Sequence, residues 1–182
     1  MIIALSGTPG TGKSSISAFL QNKEYETVSL NEIALENNFI LGIDKERNSK
    51  ILDIDKLDDY IAKNYKDKNL VFIEGHSSHL LTNVDKVIIL RCHPKKLEKR
   101  LEEKGWKKEK IRENVEAEIL DVILCEAVEI HHEKNIFQID TTEESAEVVA
   151  SLIIEIIKNN FQPMKKYNIG NIDWSEEILN DF

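Results

Sequence analysis

The sequence predicts an α/β domain built on a five-stranded parallel sheet with helices on both faces. Three observations lead there. Short β-branched runs alternate with longer helical patterns, the signature of βαβ units. Most of these runs are continuously apolar, as strands are when both faces of a sheet are covered. A glycine-rich turn, Gly7-Thr-Pro-Gly-Thr-Gly-Lys-Ser14, joins the first run to the first helical pattern.

Residues 2–5 form the first expected strand, followed by a helix over 13–21 and a strand over 26–30. A long connection, 31–53, precedes a helix over 55–64. Residues 70–74 and 86–90 supply the third and fourth strands. A helix over 94–104 leads into a second extended connection, 104–110, and one long helix is expected across 109–133. A strand at 136–139 and a helix at 143–159 close the set. Both connections are longer than βαβ units require, and function often resides in such segments. From Phe161 onward, Pro163, Lys165-Lys166 and the amphipathic piece from Ile172 through Trp174 to Ile178-Leu179 form a tail. That tail either packs Trp174 onto the domain or binds a partner.

The 182 residues carry 33 acidic against 24 basic side chains, a net charge of −9, and 41% of them are hydrophobic. Such a chain can bury one core of its own and has little room for a second domain. Its acidic balance argues against holding nucleic acid by bulk charge, although a local basic patch stays compatible. Cys92 and Cys125 lie far apart and fit neither a CxxC redox pair nor a zinc knuckle. Reduced thiols and a cytoplasmic location are therefore expected. Gly7 arrives too soon after residues 2–5 for the apolar stretch of a leader, and Ser151 and Glu155 interrupt the apolar run at 148–157. Neither a leader nor a membrane span is expected.

The turn after the first strand matches G-x-x-x-x-G-K-[ST] between a strand and a helix, where a phosphate-binding loop belongs. Glycines let successive N–H groups point inward at phosphate oxygens, and the helix beginning at Lys13 aims its positive end at the same place. Lys13 would bridge the β- and γ-phosphates of ATP, and the Ser14 hydroxyl would ligate Mg²⁺. A phosphate loop of this kind needs an acid at the end of a neighbouring strand. Glu74 closes the apolar run Leu70-Val-Phe-Ile, where doubly wound sheets place their ligands. Alone it could equally be a solvated strand-end carboxylate.

His76, two residues on, can orient a water or a substrate oxygen, or simply be hydrogen-bonded in its loop. With His79 it forms a His-x-x-His pair, but without a cysteine partner this does not make a zinc site.

The guanine-reading Asn-Lys-x-Asp motif of GTPases is missing, since Asn83-Val-Asp85-Lys86 has the wrong order and precedes its strand. Small kinases instead insert a phosphoacceptor-binding segment after the second strand and place a short basic lid between two later helices. Lys99, Arg100, Lys104, Lys107, Lys108, Lys110 and Arg112 crowd the second connection and can neutralise phosphoryl oxygens on closure. With Glu98, Glu102, Glu103 and Glu109 interleaved, any single lysine could also belong to a salt-bridged helix face.

These residues resemble the adenylate kinase isoenzyme 6 family, the archaeal and eukaryotic branch of nucleotide kinases linked to small ribosomal subunit maturation. The resemblance spans roughly residues 1–160. It rests on Gly7 through Ser15, on acid-x-His at Glu74 and His76, on Ile51-Leu52-Asp53, and on Ile111-Arg-Glu-Asn-Val-Glu-Ala-Glu118. It implies the three-layer P-loop NTPase and nucleoside monophosphate kinase fold. The kinase domain would be 1–160, with a monophosphate-binding region at 29–52 and a lid at 103–113, and 161–182 would be a tail.

The implied reaction is reversible transfer between ATP and a nucleoside monophosphate, AMP first among them, with a side ATPase activity. Gly10, Gly12, Lys13, Ser14 and Ser15 would hold the ATP phosphates, joined by Arg100 and Lys104. Lys13, Glu74 and His76 would be catalytic, with Ser14 and Glu74 on Mg²⁺. The family also resembles an assembly ATPase in binding a platform ribosomal protein of the small subunit (S eleven family), and the lid cations could meet ribosomal RNA.

Three positions depart from the family pattern. Glu74 stands where Asp is usual, Leu35 where an Arg often binds the AMP phosphate, and Lys104 where a lid Arg is usual. Arg47 and Arg91 are the expected substitutes for the missing AMP cation. Monophosphate phosphorylation slower than in a metabolic adenylate kinase is the expected consequence.

Overall fold

The computed structural model describes residues 1–45, 49–162 and 165–180. Strand β1 (Ile2–Gly7) lies at the centre of a five-stranded sheet. Around it stand β2 (Glu26–Ser29), β5 (Val71–Glu74), β6 (Lys86–Arg91) and β7 (Ile136–Asp140) in the order β2-β5-β1-β6-β7, with every pairing parallel. All five expected strands are present. The register sets Glu74 beside Leu5 and Ser29, and Arg91 beside Asp140, so the carboxyl ends of the strands share one edge.

Because β1 is buried on both faces, its successive residues feed two cores. Ile3 and Leu5 pack with Ile16 and Leu20 of α1 (Lys13–Asn22) and with Val149 and Ile153 of α7 (Ala146–Lys158). On the opposite face Ile2 joins Leu57 and Ile61 of α3 (Ile54–Tyr65). Ala4 meets Leu124 and Ala127 of α6 (Val122–Ile130) there. Helix, sheet and helix thus form three layers, as the sequence predicts.

The 31–53 connection holds elements that the sequence pattern does not reveal. Helix α2 (Leu30–Glu36) begins at Ser29, whose hydroxyl accepts from the Glu32 N–H. An antiparallel pair, β3 (Ile40–Asp44) and β4 (Ser49–Leu52), follows it. These elements are short and half solvated, so no period had room to show.

The long helix expected over 109–133 is corrected to two, α5 (Lys108–Ile119) and α6. Asp121 breaks it with a left-handed φ of 54°, an uncommon conformation for a side-chain-bearing residue, while its carboxylate is held by the Arg91 guanidinium. Helix α7 starts at Ala146 rather than 143 because the Ser145 hydroxyl caps it, accepting from the Val148 N–H. Of the tail features, Pro163 and the side chains of Lys165 and Leu179 lie outside the described residues. No described helix is long and apolar enough to cross a membrane.

Candidate active site

The phosphate-loop motif sits between β1 and α1, at the carboxyl edge of the central strand. Gly10 has φ 98°, and a Cβ there would come within 2.8 Å of Leu97 on α4 (Pro94–Glu103), so the loop lies tight against that helix. Gly12 caps α1 in a left-handed conformation, φ 102°, with no side chain on the helix N-terminus. The first N–H groups of α1 are therefore left facing the space where an anion would be drawn.

Lys13 crosses back over this loop. Its ammonium donates to the Gly7 carbonyl at 2.6 Å and the Thr8 carbonyl at 3.1 Å, and the side chain is almost wholly buried. Burial pushes its pKa from 10.5 down to about 8; the Glu74 carboxylate opposes that fall, and the Lys104 charge adds to it. Lys104 therefore lies near enough to share a field with Lys13. Ser14, exposed at the start of α1, donates to Glu74 Oε1 at 3.3 Å, so the two proposed metal ligands do converge.

His76 follows Glu74 at the same edge, with its ring reaching solvent. Desolvation by the surrounding protein lowers its pKa, and the charges of Lys13, His79 and Lys110 act in the same direction. Its neutral form is thereby favoured, with one ring nitrogen open to accept a proton. His79 is instead a buried structural group. Its Nδ1 is 2.9 Å from the Ser6 hydroxyl and its Nε2 is 2.8 Å from Glu126 Oε2.

Ser15, Gly10, Gly12, Arg100 and Lys104 line a cavity of about 310 Å³ on the α7 side of the loop. The Arg100 guanidinium is engaged there, donating to the carbonyls of Thr141 at 2.6 Å and Thr142 at 3.2 Å. Lys110 on the first turn of α5 holds its ammonium 4.5 Å above the ring of Trp106, which lies in the connection between α4 and α5.

Arg91 does not stand as the expected AMP-phosphate cation. Arg91 is only 2% exposed. Its Nε donates to Glu118 Oε1 at 2.8 Å, its Nη1 to Gln138 and its Nη2 to Asp121. A guanidinium so fully paired is corrected from ligand cation to structural group. Arg47 lies outside the described residues, and Leu35 is half exposed on α2.

The Ile111–Glu118 run counted toward the resemblance, but the sequence assigned no role to its last carboxylate, which stands at the centre of this arrangement. Glu118 of α5 is buried; its Oε2 accepts from the Thr8 hydroxyl, while its Oε1 accepts from Arg91 and, at 3.1 Å, from the Cys92 N–H. A charged residue ending an apolar strand, as Arg91 does, was the available signal that a buried partner existed.

A family model described as an AAA domain matches residues 3–121. A Pyrococcus abyssi protein described as "Putative adenylate kinase" is 43% identical over 178 residues, covering 97% of this chain and 92% of that protein. An Archaeoglobus fulgidus protein of the same description is 42% identical over 178 residues, with 98% and 94% covered. Among solved structures, shikimate kinase from Acinetobacter baumannii in complex with shikimate is similar in fold. It aligns with a TM-score of 0.59 at 17% identity, covering 87% of this chain and 93% of that one.

Proposed function

This chain belongs to the AAA-domain family and to the adenylate kinase-like family of its archaeal relatives, and from that premise we propose reversible phosphoryl transfer from ATP to a nucleoside monophosphate, AMP first. The observation that carries the reading is the convergence of a buried Lys13 ammonium, an uncapped α1 N-terminus and the Ser14–Glu74 contact at 3.3 Å.

Phosphoryl transfer asks for positioning and charge stabilisation, not for a covalent nucleophile. Lys13 would exchange its two loop carbonyls for β- and γ-phosphate oxygens, and the loop N–H groups from Gly10 to Ser15 would take the remaining ones. Arg100 and Lys104 would border the nucleotide. Residues 29–52 would receive the monophosphate, and 103–113 would close as a lid over the transfer, within a 1–160 domain followed by a 161–182 tail.

Ser14 and Glu74 offer hard oxygen ligands, and no group of three or more metal-binding side chains occurs among the described residues. That donor set fits Mg²⁺, which keeps waters and leans on substrate phosphates. When bound, the ion would neutralise charge on the transferring phosphoryl group, with Glu74 and Ser14 fixing its place.

A second reading has one observation in its favour: neither Leu35 nor Arg91 offers a cation to a monophosphate. On that reading the chain acts chiefly as an ATPase of the isoenzyme 6 type in small-subunit maturation. Glu74 or His76 would orient a water, and the acidic surface would suit a basic ribosomal protein of the S eleven family. A coupled assay separates the two. ADP formation from AMP and ATP far above phosphate release supports the kinase; hydrolysis stimulated by the ribosomal protein and indifferent to AMP supports the assembly factor.

A further inference from the structure

Glu118 touches more than the phosphate loop. Its Oε1 also lies 3.4 Å from Trp174 Nε1, the indole of the tail, which stands edge-on to His93 with ring centres 5.0 Å apart. Glu177 in the same tail pairs with Lys95 at 2.9 Å, on the first turn of α4. One carboxylate on α5 thus has the phosphate loop on one oxygen and the tail on the other.

We propose that Glu118 is a positioning residue that couples occupancy of the phosphate loop to the seating of Trp174. This rests on the reading that the loop binds ATP. Lys13 donates to the Thr8 carbonyl at 3.1 Å, while the hydroxyl of the same Thr8 donates to Glu118 Oε2. Phosphate oxygens that draw Lys13 away release the Thr8 peptide, and the movement reaches Glu118 through the hydroxyl.

Oε1 cannot turn freely. Arg91 at 2.8 Å and the Cys92 N–H at 3.1 Å hold it from the buried side, so the longer contact with Trp174 is the one that yields. The indole has somewhere to go, because a cavity of about 1070 Å³ bordered by His93, Asp140 and Trp174 lies between the tail and β7 and α7. A two-state element with contacts to both sites is what such coupling requires.

Trp106 and Trp174 are the two tryptophans, so Trp106→Phe leaves Trp174 as the sole indole reporter. The W106F protein is titrated with a non-hydrolysable ATP analogue, with emission and calorimetric binding measured together. The expected result is a red shift of Trp174 emission that saturates with binding. Adding Thr8→Val removes the shift per bound analogue, read at the occupancy that calorimetry gives, and adding Thr8→Ser in its place restores it, which a purely structural role for Glu118 would not produce. Binding without a shift in W106F, or the same shift in the T8V background, overturns the coupling and leaves the ATP site standing. Loss of binding along with the shift in T8V also overturns it, since Thr8 then only builds the loop. No binding to the unsubstituted chain overturns the ATP site and the coupling together.

Discussion

The Arg91 guanidinium and the Glu118 carboxylate, each 2% exposed, form a buried ion pair 2.8 Å apart directly behind the phosphate loop. Neither has water to fall back on, so removing one partner strands the other. Glu118→Ala should cost roughly 3–5 kcal/mol of unfolding free energy. Urea denaturation measures it, and a cost below about 1 kcal/mol would show that Asp121 and Gln138 suffice for Arg91.

Lys13 sets binding against stability. Lys13→Met should abolish phosphoryl transfer and ATP hydrolysis alike, because the cation for the β- and γ-phosphates is gone. The nucleotide-free variant should nonetheless be more stable at pH 7. Depression of the lysine from 10.5 to about 8 corresponds to a cost on the order of 3 kcal/mol, partly offset by the lost carbonyl hydrogen bonds. Since the folded value lies below the unfolded one, the cost is complete below pH 8 and fades as pH rises toward 10.5. The stability gap between variant and parent should therefore narrow across that window in urea titrations run at successive pH values. A gap that widens would refute the buried charge.

Glu74→Gln keeps the shape of the side chain and removes its charge beside Ser14. Turnover measured against Mg²⁺ concentration should need about ten-fold more ion. Glu74→Asp, the residue usual in the resembling family, should recover most of the loss. An unchanged Mg²⁺ requirement in the Gln variant would remove Glu74 from the metal site.

Leu35 offers a gain-of-function test. It is 50% exposed on α2, so a longer charged side chain can be accommodated without disturbing a core. Leu35→Arg should lower the KM for AMP by about ten-fold or more, as a bidentate cation meets the monophosphate. The KM for ATP should stay put; a KM for AMP that does not move would place the monophosphate elsewhere.

The strands were legible because β1, β5 and β6 are apolar on both faces, and the phosphate loop was legible because its chemistry is local in sequence. Glu118 was not. Its partners come from the phosphate loop, β6 and the tail, and its contact with Thr8 spans 110 positions, a relation that no period or motif encodes. The break at Asp121 escaped for a similar reason, since the partner that holds its carboxylate, Arg91, lies 30 positions away in sequence. Residues 30–36 form a helix of only seven residues, too short to separate from a loop by its period alone.

The two thiols of the chain live in unlike surroundings. Cys92 is buried beside Glu118, and desolvation pushes its pKa up to about 11, which starves it of thiolate at neutral pH. Cys125 is exposed on α6, on the far face of the sheet from α1. A maleimide dye offered to the unmodified protein should therefore mark a single position, giving an optical beacon with no engineered cysteine and no disturbance of the phosphate loop.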